Sequence, residues 1–295
     1  MKLHKKIKSK EDNSIKYILF TETDNLAVES TFIDKNDGKN IICLPTQTSC
    51  LMRCKFCHIT DISDQIRMRD LKSTEMTSIV KHIVQDLGLS NDKTLLISFM
   101  GCGEPLLNVR NLVNSMCAMS TCYEKIRFAI ATSIPKNIDK NFDYFISSVI
   151  KHKINVKVHF SLHYTDDSQR KVWMPNAENI QKSLAYISDY KNRTNNSVEI
   201  HYTLIDGVND TQDDISFLIE VFKNTDICIK FLRYNAKDSV DSMETPIERV
   251  KEIMDVLNKN GVKTEYYVPP GRDVGGSCGQ ILTYEYLEHN QIKTF

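Results

Sequence analysis

From residue 73 onward, short apolar segments rich in β-branched and aromatic residues alternate with longer segments of helical period. Strand-like segments occupy 94–100, 126–131, 155–161, 198–204, 227–232 and 262–268; helix-like segments occupy 73–87, 109–123, 138–151, 179–192, 211–224 and 246–260. Parallel strands cannot be joined by a tight hairpin, so a helical crossover between successive strands is the mark of a parallel sheet. This many units predicts an α/β barrel or part-barrel. Ahead of them, the β-prone runs 16–21, 26–33 and 40–44, the last two separated by Asp34-Lys35-Asn36-Asp37-Gly38, predict a short N-terminal β extension. Residues 1–14 read as a solvated, lysine-rich tail. No repeat or long linker divides the chain, so the expected organisation is a tail and β extension over 1–40 and one main domain over 41–295.

Charge and cysteine usage narrow the function. Lys+Arg and Asp+Glu both number 38, so the chain is not a globally basic nucleic-acid binder. Basic groups do gather locally, at 2–10, at Arg67 with Arg69, at 151–157, and at Arg170 with Lys171. No apolar run approaches the ~20 residues of a membrane span. The basic start Met1-Lys2-Leu3-His4-Lys5-Lys6 lacks the apolar segment of an export signal, so no membrane association and a cytoplasmic location are expected. Nine cysteines in such a chain point to metal or redox chemistry rather than a disulfide frame.

Ligands of parallel α/β folds collect in the loops that follow the strands. In the first of these loops stand Cys50, Cys54 and Cys57, spaced C-x3-C-x2-C. Three thiolates from one loop can hold three irons of a [4Fe–4S] cluster and leave the fourth open. The same residues could form a zinc site completed by His58 or Cys43, or be inert buried thiols. One strand later comes Gly101-Cys102-Gly103-Glu104-Pro105, where glycine admits close backbone approach to a ligand and Glu104 can accept hydrogen bonds from an ammonium group. Cys102, Cys117, Cys122 and Cys228 read as structural.

The two motifs together resemble the signature of the radical S-adenosylmethionine (SAM) superfamily. The segment 99–108, Phe-Met-Gly-Cys-Gly-Glu-Pro-Leu-Leu-Asn, narrows the resemblance to the radical-SAM RNA adenine methylases of the RlmN/Cfr type. Ser161-Leu162-His163, Ile205-Asp206-Gly207-Val208-Asn209-Asp210 and Ser277-Cys278-Gly279-Gln280 agree with that family in order, and Cys43 stands seven residues before Cys50. The resemblance spans roughly residues 26–285. It implies a partial (β/α)6 barrel with a C-terminal segment closing its mouth, a [4Fe–4S] cluster on Cys50, Cys54 and Cys57, and two SAM molecules per turnover. It also implies a methyl carried on Cys278, with Cys43 releasing the product and ending in a disulfide with Cys278. Gly103, Glu104, Ser133, His163 and Asn235 are then expected at SAM, and Glu29 at the target adenine. The implied substrate is carbon 2 or 8 of an adenine in ribosomal or transfer RNA, and the implied electron donor a flavodoxin or ferredoxin. The family's larger N-terminal accessory domain has only about 25 residues opposite it in this sequence, and Pro269-Pro270 replace basic residues. These departures leave open the same chemistry on a small nucleotide or peptide, or a non-catalytic Fe–S or zinc protein that binds RNA.

Overall fold

The computed structural model describes residues 1–35 and 37–276. Ten strands lie in one sheet in chain order: β1 (Lys2–Lys8), β2 (Ser14–Phe20), β3 (Ala27–Lys35), β4 (Lys39–Cys43), β5 (Thr94–Phe99), β6 (Ile126–Thr132), β7 (Val156–Ser161), β8 (Val198–Thr203), β9 (Cys228–Leu232) and β10 (Lys263–Tyr267). The first three pairings are antiparallel and those from β4 to β10 parallel. The helices are α1 (Ile59–Ile62), α2 (Ser73–Leu87), α3 (Val109–Cys122), α4 (Asp139–Lys151), α5 (Asp167–Trp173), α6 (Ile180–Thr194), α7 (Gln212–Phe222) and α8 (Ile247–Lys259). Among the described residues β1 and β10 do not pair, so the barrel stays open. The expected partial barrel is therefore present, its six crossovers supplied by α2, α3, α4, α6, α7 and α8.

The period-2 pattern of the strands divides the two faces. Ile42, Ile97, Phe128, Ile130, Val158, Phe160, Ile200 and Phe231 point toward the helices. There they join Met76, Ile79, Leu112, Met116, Phe145, Ile187, Leu218 and Ile253 in one buried cluster. The alternate residues face the hollow of the barrel and are free to be polar. Local signals start and stop the helices. Asn179 caps α6 by accepting the Lys182 N–H, Thr211 and Asp214 form a capping box on α7, and Gly88 ends α2 at φ +57°. No helix among the described residues is long and apolar enough to cross a membrane.

The N-terminus departs from expectation. Residues 2–8 are not a solvated tail but the edge strand β1, with Met1 and Leu3 packed against the main core and the Lys6 ammonium 2.5 Å from Asp86 of α2. Leu3 pairs with Leu19 but Lys5 with Ile18, so His4 is an extra residue and the strand is bulged.

Candidate active site

The cysteine loop leaves the end of β4 and is folded by its own hydrogen bonds. The Cys57 N–H donates to the Cys54 carbonyl (3.1 Å), the Thr60 hydroxyl to the same carbonyl (2.7 Å), and Arg53 turns the chain at φ +52°. From outside, the Lys55 N–H donates to the Trp173 carbonyl at the end of α5 (2.8 Å), and His58 Nε2 lies 3.2 Å from the Asn235 carbonyl after β9. Cys50, Cys54 and Cys57 are free thiols turned into the protein. Burial pushes the Cys50 thiol up to about 12, with the Cys57 charge adding to the effect. Burial also raises Cys54, helped by Cys50 and Cys57, and raises Cys57. Three buried soft donors on one loop, with Cys57 opposing ionisation of Cys50 and Cys54, form a set suited to thiophilic iron. The donor set therefore fits an iron–sulfur cluster.

The glycine motif closes against this loop. At Gly101 a Cβ would lie 2.7 Å from the Leu44 carbonyl carbon and the Pro45 nitrogen. At Gly103 (φ +103°) it would lie 2.7 Å from Gln47 Cβ and Thr46 Oγ1. The Thr46 and Gln47 N–H groups both donate to the Cys102 carbonyl, and the Glu104 N–H donates to Gln47 Oε1 (2.9 Å). The Gly103 N–H also reaches the Cys50 thiol, which ties the two motifs together. Glu104 is 3% exposed. One carboxylate oxygen accepts the Leu106 N–H (3.2 Å) and the other the Ser133 N–H and hydroxyl (both 3.1 Å). Burial raises its pKa, opposed by those hydrogen bonds, which makes this carboxylate responsive to a nearby cation. Cys102 is buried beside Phe20, Ala27 and Ile59, in a cluster against which Cys50 and Cys57 pack.

Three further predicted positions, Ser133, His163 and Asn235, follow the ends of parallel strands. Ser133 stands just past β6, joined to Glu104. His163 lies just past β7 at φ +54°; its Nδ1 accepts the Thr203 N–H (2.9 Å), which leaves the ring proton on Nε2. Burial holds that ring neutral, and Phe56 of the cysteine loop meets it edge-on at 5.0 Å. Asn235 is buried just past β9. Glu29 on β3 is 2% exposed and paired with Lys16 of β2 at 3.0 Å. Two residues further along β3, on the same face, Thr31 is the ladder partner of Cys43. The Thr31 hydroxyl donates to the Gly276 carbonyl (3.2 Å). Cys278 lies outside the described residues.

Several site residues carry no readable motif. Arg170, grouped by sequence with Lys171 as a surface patch, is 1% exposed. Its guanidinium donates to the Ser133 carbonyl (2.8 Å), the Ser161 carbonyl (3.2 Å), the Leu162 carbonyl and the Glu178 carbonyl (3.0 Å), binding the ends of β6 and β7 together. Burial lowers its pKa to about 10, which leaves it charged. Arg69 is partly buried and held by Asp24 and Glu75. Asn108, by contrast, closes the 99–108 motif; it donates to the Thr46 and Leu71 carbonyls (both 2.8 Å) and so fixes both ends of the loop region. Within the hollow, His159, Glu199 and His201 converge. Lys157 (2.5 Å) and Lys230 (3.0 Å) already flank the Glu199 carboxylate, so the cluster is a poor cation site.

Comparison with known proteins agrees with the geometry. The chain is 28% identical to a probable dual-specificity RNA methyltransferase RlmN of Lachnospira eligens, over 95% of this chain and 77% of that protein. It is 29% identical to the Finegoldia magna protein of the same description, over 94% and 77%. A radical SAM methyltransferase structure from Sphaerobacter thermophilus superposes with a TM-score of 0.82 at 21% identity, over 94% of this chain and 80% of that one. No family model matches the chain.

Proposed function

We propose that this chain, a member of the RlmN-type radical-SAM methyltransferase family, methylates carbon 2 or 8 of an adenine in ribosomal or transfer RNA through a methyl-cysteine on Cys278. In this reading Cys50, Cys54 and Cys57 hold a [4Fe–4S] cluster, while Glu104, Gly103, Ser133, His163 and Asn235 surround SAM. The bound cluster and SAM supply two things, a methyl group and, by one-electron cleavage, a 5′-deoxyadenosyl radical. Glu104 offers its carboxylate to the SAM ammonium, and neutral His163 walls the pocket beside Phe56. The Cys278 sulfur accepts the methyl as a nucleophile. That carbon would then give one hydrogen atom to the deoxyadenosyl radical and bond to the adenine carbon, whose own hydrogen would leave as a proton while the odd electron returned to the cluster. The Cys43 thiolate then attacks the Cys278 sulfur. A disulfide forms, the old S–C bond breaks with its electron pair passing to carbon, and that carbon takes a proton. Glu29 faces the adenine, a flavodoxin or ferredoxin supplies electrons, and the reaction takes place in the cytoplasm.

One observation carries the reading. Gly276 rests on Thr31, the ladder partner of Cys43, and two further residues of chain span at most ~7 Å. Cys278 follows two positions later in the sequence, which supports the reading in which it meets Cys43. A Cβ on Gly276 would lie 3.0 Å from the Thr31 hydroxyl, a tight contact to which the Thr31 side chain would have to yield.

Peptide mass spectrometry of protein made in cells tests the carrier role: the fragment containing Cys278 should carry one added methyl. An unmodified thiol in cluster-loaded protein would overturn it. Cys43→Ala should accumulate RNA covalently bound to Cys278, and Cys278→Ala should abolish methylation without trapping. Full turnover by Cys43→Ala would remove the resolving role.

A further inference from the structure

Two buried cations flank the cysteine loop, one on each side. On the Cys54 side is Arg170, its guanidinium held by main-chain carbonyls. On the Cys57 side is Lys237, whose side chain is only 3% exposed. The Lys237 ammonium donates to the Cys57 carbonyl (3.2 Å) and to Asp61 Oδ1 (2.8 Å). The Ser239 hydroxyl holds Asp61 Oδ2 at 2.9 Å. With the His58–Asn235 contact, four polar links join the segment after β9 to the turn that bears the third cysteine. Taking an ammonium out of water is costly, and its facing carboxylate is itself 37% exposed and so partly screened by solvent. A lysine kept there leaves an incompletely offset positive charge against the loop.

We propose that Lys237, balanced by Asp61, is a positioning residue for the cluster: it pins the Cys57 turn and supplies a buried positive charge that raises the cluster's reduction potential. The inference rests on the reading of Cys50, Cys54 and Cys57 as cluster ligands. Reduction adds one negative charge to the cluster, so a nearby cation in a low-dielectric setting favours the reduced state, and a nearby carboxylate opposes it.

The experiment is a reductive titration followed by electron paramagnetic resonance, on cluster-loaded parent, Lys237→Gln, Lys237→Arg and Asp61→Asn, with iron and sulfide counted in each. Lys237→Gln should make one-electron reduction about tenfold less favourable, a fall of about 59 mV. Lys237→Arg should stay near the parent, and Asp61→Asn should shift the potential upward. If Lys237→Gln fails to take up iron, Asp61→Asn still carries the test, because it keeps the lysine and reverses the sign. Loaded Lys237→Gln at the parent potential, or a fall rather than a rise in Asp61→Asn, overturns the proposal. A parent that holds no iron overturns the cluster reading and this inference with it; a loaded parent with unmoved variants overturns this inference alone.

Discussion

Gly103 combines a backbone conformation closed to other residues with a contact that leaves no room for a side chain. At φ +103°, a Cβ would press on Gln47 Cβ and Thr46 Oγ1 at 2.7 Å and on the Gln47 nitrogen at 2.8 Å. Positive φ costs an L-residue on the order of 1 kcal/mol, and overpacking against backbone adds about 1–3 kcal/mol. Gly103→Ala should therefore lose about 2–4 kcal/mol in urea unfolding and displace the Gly103 N–H from Cys50. Gly101→Ala, pressed on the Leu44–Pro45 backbone, should behave alike; Gly207→Ala, with nothing within 4 Å, should pay only the φ penalty. Single residues were also where sequence and structure parted. Cys50, Cys54, Cys57, Gly103 and Glu104 declare themselves by spacing, because one loop must present them together. Arg170 does not. A lone arginine is ordinarily read as surface, and only the convergence of the ends of β6 and β7 gives it four carbonyls to bind.

Among elements, the segment 46–71 is held by one charged hub. Arg69 donates through Nε and Nη2 to Asp24 in the β2–β3 turn (2.6 and 2.8 Å) and through both terminal nitrogens to Glu75 in the first turn of α2 (2.9 and 2.8 Å). Asp24 is held below the usual carboxylate range by the Arg69 hydrogen bonds. Glu75 is pushed up by burial but pulled down further by Arg69 and the Lys72 N–H. Because both folded-state pKa values are depressed, the stabilisation is full above the unfolded carboxylate range and is lost as pH falls through the folded values. Parent stability should thus decline from about pH 5 downward. Arg69→Met, leaving Glu75 without its arginine and Asp24 with Arg67 at 4.0 Å, should cost about 2–3 kcal/mol near neutrality and show a weaker acid decline. Urea midpoints against pH check both. β1 shows why an element can escape its sequence: the bulge at His4 breaks the alternation that would have marked Leu3 as inward. The loop 268–276 likewise depends on distant partners, the Gly271 N–H on Asp12 (2.7 Å) and Asp273 on the Ser9 hydroxyl (2.7 Å) and the Lys10 N–H (2.8 Å).

For the whole molecule, the open barrel leaves its polar hollow and its mouth without the closure that a full ring of strands provides. The cysteine loop touches segments after β5, β7 and β9, so whatever binds its thiols ties distant parts of the sheet together. A cluster bound only by the folded chain adds its binding free energy to stability. Stripping iron with a chelator should therefore lower the unfolding temperature, and anaerobic return of iron and sulfide should restore it. An unchanged transition would mean that the loop is held by protein contacts alone.

Order along the chain was legible because the signals are local. Period 2 and period 3.6 are written in neighbouring residues, parallel strands demand the helices between them, and a metal-binding loop must place its donors a few residues apart. The ten-strand order follows the chain, so this local reading carries most of the fold. What could not be read was every property that needs two remote segments to meet: Lys16 against Glu29, Arg170 under the strand ends, Lys237 against Cys57, and Gly276 on Thr31. Burial and pairing of a charge depend on what the fold brings opposite it, and that information exists only once the sheet has curved and its loops have closed over one another.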